Sequence, residues 1–199
     1  MVFRAARVSK RFDKIKLMAV QTIRQLGDPV LREICAPVVD ASSSETVRIA
    51  QDLADTLAHS RATTGYGRAI AAPQIGVTER VIFLKVPGLD PWPLVNPEIT
   101  WRSPEKMVVW DACLSFLCIF MQVERHREIV VRYQDLQGAW QEKRAGLDHD
   151  LSELLQHEID HLDGILCIDR VTDIKSVCTK DEFEKRYKAA SPYAAAGQS

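Results

Sequence analysis

His157, Glu158 and His161 stand in the order H-E-x-x-H. On a helix, positions i and i+4 lie one above the other, so the two imidazoles share a face and the carboxylate sits beside them. Neutral imidazoles are ligands for a divalent metal, and a neighbouring carboxylate can take a proton from the water that the metal activates. Such a set does hydrolysis, provided that a third ligand leaves one coordination position open. The sequence offers three candidates for that ligand. Cys167 lies six positions beyond His161 with Gly164 between them, the layout of one zinc-peptidase class with cysteine in place of its third histidine. Glu182 or Glu184, about twenty residues downstream, would complete a second zinc-peptidase plan. Cys113 is remote in sequence, at the end of a β run among small and turn-forming residues that would expose its sulfur.

The element that positions the histidines spans residues 151–164. Leu151, Leu154, Leu155, Ile159 and Leu162 gather on one side at 100° per residue, which predicts a helix with one apolar face against a core, stopped at Gly164. Residues 80–86, 94–101, 107–110, 119–123, 128–134 and 140–144 read as strands in a meander pattern. Ser42 and Glu45 form a capping box that opens a helix through Val47, Ala50, Leu53, Ala54 and Leu57 to about residue 59. Residues 181–190 carry Phe183 and Tyr187 at i, i+4 and predict a last, surface helix. Residues 65–76 are too rich in Gly and Ala for a packed element and too apolar for an exposed loop. They suggest a place where another backbone approaches closely, with Gln74 as a polar group in an apolar wall. Strands dominate the first three quarters and helices the end, so the fold class is α+β.

Bulk properties narrow the setting. At 199 residues with 46% hydrophobic content and a formal net charge of −1, the chain buries a core without staples and exerts no long-range attraction on nucleic acid. No apolar run is long enough to span a bilayer, and no membrane partner is expected. The odd set Cys35, Cys113, Cys118, Cys167 and Cys178 lacks the density of a disulfide scaffold and points to a reducing compartment. Residues 1–17 form a basic N-terminal extension, residues 18–190 a single catalytic domain, and residues 191–199 a flexible tail. The extension reads as a disordered arm or upstream sequence, or else as an organellar transit peptide. His59, His126 and His149 read as surface or loop residues, and 124–128 as a solvated strand junction in which Arg125 has a structural role.

Three segments together resemble the signature motifs of the peptide deformylase family. Residues 67–74 resemble G-x-G-x-A-A-x-Q, residues 111–115 resemble E-G-C-L-S, and residues 156–164 resemble Q-H-E-x-D-H-L-x-G, in the family's order. Gly27-Asp28-Pro29-Val30-Leu31-Arg32 and Val95-Asn96-Pro97 extend the likeness over roughly residues 18 to 170. The resemblance implies antiparallel or mixed sheets packed around a central helix carrying H-E-x-x-H. It implies Cys113, His157 and His161 as metal ligands, Cys167 as a core residue, Glu158 as general base and acid, and Gln74 with the Leu114 backbone N–H as oxyanion donors. The implied metal is one divalent ion, iron(II) in the cell, with zinc, nickel or cobalt also able to bind. The implied reaction removes the N-formyl group from the first methionine of a nascent polypeptide and releases formate, in the bacterial cytoplasm, or in mitochondria if residues 1–17 are a transit peptide. The peptide would lie as an added strand along Gly67, Arg68, Ala69 and Ile70, with its methionine in an apolar pocket and the ribosome exit region as a possible further partner.

Five positions depart from the family pattern: Ala69 for the second Gly of the first motif, Asp111 and Ala112 for Glu-Gly, and Leu117 and Phe120 for Pro and Arg. The Cβ of Ala69 would press on a strand-like substrate, and Leu117 with Phe120 would make the nearby wall more apolar.

Overall fold

α1 (Ser44–Thr64) begins one residue later than predicted, at Ser43, whose hydroxyl accepts the Thr46 N–H at 3.1 Å. Ser42 instead turns to Asp40, with its N–H and its hydroxyl both on Oδ1. The helix also runs past residue 59 to Gly65, which takes the left-handed conformation at φ 76° and closes it. These elements belong to a computed structural model, which describes residues 20–146 and 150–191. The basic extension at residues 1–17, His149, and residues 192–199 of the expected tail lie outside the described residues.

Residues 69–71, expected to be too rich in small side chains for a packed element, form the buried strand β1 (Ala69–Ala71). It pairs antiparallel with β2 (Val81–Leu84), Ala69 opposite Leu84 and Ala71 opposite Ile82. Alternation along the two strands sorts their side chains onto two faces. Ala69, Ala71, Ile82 and Leu84 join a cluster with Leu151, Leu154, Leu155, Ile159 and Leu162 of α2 (Leu151–Leu162). Ile70, Val81 and Phe83 join Ile49, Leu53 and Leu57 of α1. The small residues of β1 are what two helices need in order to pack close on a sheet from opposite sides, and that packing overrides weak strand propensity.

With β3 (Trp92–Arg102), β6 (Ile129–Gln134) and β7 (Trp140–Ala145), these strands make a five-stranded antiparallel sheet in the order β1-β2-β3-β6-β7, which leaves β1 at an edge. β4 (Lys106–Asp111), β5 (Ile119–His126) and the unforeseen two-residue β8 (Cys178–Thr179) make a second antiparallel sheet. The architecture is α+β, as the order of strands and helices predicted, with two sheets about α2, as the family resemblance implied.

All twelve residues of α2 are buried, not the apolar face alone. Most of its polar side chains are therefore bonded within the protein rather than solvated. Ser152 Oγ and Gln156 Nε2 donate to the His126 carbonyl at 2.8 and 2.9 Å, and Gln156 Oε1 accepts the His126 N–H at 3.0 Å. His126 is thus half-buried in β5, with Nδ1 2.7 Å from the Ser103 carbonyl, while His59 is exposed as expected. Gly164 ends the helix at φ +71°, where a Cβ would stand 2.5 Å from the Arg32 carbonyl oxygen. α3 (Lys180–Arg186) docks through Phe183, whose ring stacks on Phe120 at 4.0 Å. Phe120 therefore faces α3 rather than the substrate wall.

Candidate active site

The turn that follows β4 brings Cys113 to α2. Cys113 Sγ lies 3.2 Å from His161 Nε2, and ligand atoms of Cys113, His157 and His161 all lie within 4.8 Å of one another. Donors on a tetrahedral ion, with metal–sulfur about 2.3 Å and metal–nitrogen about 2.0–2.1 Å, stand about 3.3–3.6 Å apart. A second group of the same spacing, Asp111, His157 and Cys167, is built differently. Its carboxylate and imidazole are already bonded to each other, and its sulfur rests 4.0 Å from Met121 Sδ in a hydrophobic cluster. Burial holds the Cys167 thiol well above its ordinary pKa. Glu182 pairs with Arg186 on α3 and Glu184 accepts the Tyr66 hydroxyl at 2.7 Å, so the structure brings neither to the histidines.

Asp111 was noted in the sequence only as a departure from a motif, yet it organises the cluster. His157 Nδ1 lies 2.8 Å from Asp111 Oδ1, which turns Nε2 of the same ring toward the site. Asp111 Oδ2 takes Arg125 Nη2 at 3.1 Å, Arg125 bonds Asp160 through Nη1, and Arg170 bonds Asp160 at 2.7 Å. Arg125 is 3% exposed, so its structural role stands but the solvated junction does not. Burial alone would raise the Asp111 carboxyl, but His157 and Arg125 together hold it well below the carboxylate range. For His157, burial favours the neutral ring, and Asp111 with Cys113 overrides it and lifts the pKa well above normal. Burial, followed by the charge on His157, drives His161 the other way.

The donor set fits a divalent cation. One thiol and two imidazoles, all buried, bring their ligand atoms to one place, a donor set that suits a divalent cation. Glu158 Oε2 and His161 Nδ1 are buried with no hydrogen-bond partner among the described residues, and an open carboxylate oxygen beside these donors suits a proton acceptor for water. Burial pushes Glu158 up to about 7.

Gln74 is 1% exposed and sits in the turn after β1. Its Oε1 accepts the Ala71 N–H at 2.9 Å, which points Nε2 at Ser115 Oγ (3.2 Å) and Cys113 Sγ (3.5 Å). Leu114 opens a short 3-10 turn just after Cys113, where a backbone N–H has no partner within the turn. Gly67, Arg68, Ala69, Leu114, Leu117, Gln74, His157 and Glu158 line one cavity, and Ile70 is buried behind it with its side chain toward α1. The expected apolar pocket is not wholly apolar: Arg68 bonds Glu153 inside it. Sequence reasoning had no signal for that pair, because its members lie 85 positions apart.

The polypeptide deformylase family model matches residues 20–177. The chain belongs to the polypeptide deformylase family. A peptide deformylase of Bartonella tribocorum is 38% identical over 179 residues, covering 86% of this chain and 95% of the relative. One from Thermotoga neapolitana is 35% identical over 170 residues, covering 84% and 97%. The crystal structure of peptide deformylase from Thermotoga maritima superposes with a TM-score of 0.70 at 35% identity, covering 77% of this chain and 99% of that one. The Met-Ala-Ser-bound class I type b peptide deformylase from Acinetobacter baumannii gives 0.69 at 30%, covering 78% and 100%. Members are metal-dependent hydrolases of protein biosynthesis that act on nascent formyl-methionyl peptides. Among the described residues, no helix is long and apolar enough to cross a membrane.

Proposed function

We propose that residues 18–190 form one catalytic domain in which Cys113, His157 and His161 hold a single divalent cation for deformylation. Glu158 is then the general base and acid, and Gln74 Nε2 with the Leu114 N–H are the oxyanion donors. The observation that carries this reading is the meeting of a mid-chain sulfur with both imidazoles of H-E-x-x-H beside a buried, unpartnered carboxylate oxygen. When bound, the cation supplies Lewis-acid activation of water near neutral pH. Iron(II) is our assignment from the family likeness, and zinc, nickel or cobalt suit the same donors.

Glu158, poised near neutrality by its burial, takes a proton from water and later gives it to the leaving amine. Asp111 fixes the His157 ring, and the Ala71 N–H fixes Gln74, so neither reorganises as charge develops on the formyl oxygen. A formyl carbon bears only hydrogen and enters where a larger acyl group is excluded. The peptide adds as a strand at the open edge of β1, using the main chain of Gly67, Arg68, Ala69 and Ile70. The Acinetobacter relative was solved with Met-Ala-Ser bound, which supports a short peptide as the kind of ligand. Its source is a nascent chain at the ribosome exit region of a bacterial cytoplasm.

The test is formate release from formyl-Met-Ala by the iron-loaded full chain. Turnover that Glu158→Ala lowers by about two to four orders of magnitude is expected. Formate no greater than that of Glu158→Ala rejects the enzymatic reading, and cleavage of an unformylated peptide instead would make the chain a peptidase.

A further inference from the structure

The cavity that holds Gln74, His157 and Glu158 also holds the ion pair Arg68–Glu153. Arg68 immediately precedes β1 and is 9% exposed. Glu153 is 1% exposed and stands one turn before His157 on α2, about 6 Å along the helix axis. Tyr66, Leu117 and Leu154 complete the same wall. A peptide that presents its formyl group to Gln74 and Glu158 lays its first side chain against this wall. Glu153 is already closed off by its partner, but Arg68 keeps some exposure to the cavity; an apolar side chain there removes that remaining solvent and returns no hydrogen bond, whereas a polar end replaces it. Stability gives no reason for the pair, since apolar residues of similar size commonly replace a buried ion pair without loss.

We propose that Arg68 and Glu153 set the substrate preference of this chain, favouring N-formyl peptides whose first side chain is unbranched, as long as methionine, and ends in a neutral hydrogen-bonding group. Glutamine and methionine sulfoxide have that form. Formyl-methionine remains a substrate, at lower kcat/KM. The inference rests on the deformylase reading above and names the side chain that its pocket prefers.

The experiment compares four substrates, formyl-Gln-Ala, formyl-Met(sulfoxide)-Ala, formyl-Met-Ala and formyl-norleucyl-Ala, with the metal-loaded full chain and with Arg68→Leu/Glu153→Leu. In the wild type, kcat/KM for the two polar substrates exceeds that for norleucine by roughly tenfold or more. The double variant, which removes both charges together and so strands neither, inverts the order. Calorimetric binding of the deformylated dipeptides follows the same ranking. A wild type that prefers norleucine and methionine overturns the inference and leaves deformylation standing, and so does a polar preference that survives in a folded double variant. Should the double variant not fold, the wild-type ranking decides alone. Formate from none of the four overturns the deformylase reading itself.

Discussion

Replacing Asp111 with asparagine removes one charge from a buried series of contacts that runs from His157 through Asp111, Arg125 and Asp160 to Arg170. The amide keeps the shape of the carboxylate but has one acceptor oxygen for two donors, so either His157 Nδ1 or Arg125 Nη2 meets an NH2 group. Two effects follow and are separable. Arg125 keeps Asp160, so folding should lose about 1–3 kcal/mol, less than the about 3–5 kcal/mol of a buried charge stripped of its partner. The His157 ring loses the carboxylate that orients it, an effect worth about 10–100-fold in metal affinity. Competition with a chromophoric chelator measures the second effect, and thermal melting of the metal-free protein measures the first. A metal affinity within about twofold of wild type, alongside a lowered melting temperature, would refute the orienting role and leave Asp111 as a packing residue only.

Gln74→Leu should lower kcat about 100- to 1,000-fold with a smaller change in KM, read from steady-state formate release, because it removes the fixed Nε2 donor. Gly164→Ala should destabilise the chain by about 2 kcal/mol or more in urea unfolding, since it places a Cβ 2.5 Å from the Arg32 carbonyl at a left-handed φ. Chelation should lower the melting temperature, and return of a divalent ion should restore it; free metal at 100 times Kd corresponds to about 2.7 kcal/mol.

What the sequence disclosed about the site follows the range over which its signals act. H-E-x-x-H was readable because helical geometry alone relates His157 to His161. The choice among Cys113, Cys167 and the α3 glutamates was open on spacing, since it depends on a turn returning to α2 from 48 positions away. The apolar stripe of α2 was legible, but its burial on the polar side was not: Glu153, Gln156 and Asp160 look like solvent-facing residues until Arg68, His126 and Arg125 arrive from other elements. β1 was not foreseen as a packed strand because Ala and Gly lack strand propensity, and only pairing with β2 and packing between two helices explain it. Ser43 displaced Ser42 as the cap because Asp40 captures Ser42, a competition between adjacent hydroxyls that a capping motif does not resolve.

X-ray absorption at the edge of the bound metal, on the wild type, Cys113→Ser and Cys167→Ser, addresses the centre of the site most directly. We expect one sulfur and two imidazole nitrogens in the wild type and in Cys167→Ser, with the sulfur lost in Cys113→Ser. A sulfur that persists in Cys113→Ser and vanishes in Cys167→Ser would contradict the proposed ligand set and the placement of Gln74 and Glu158 built around it.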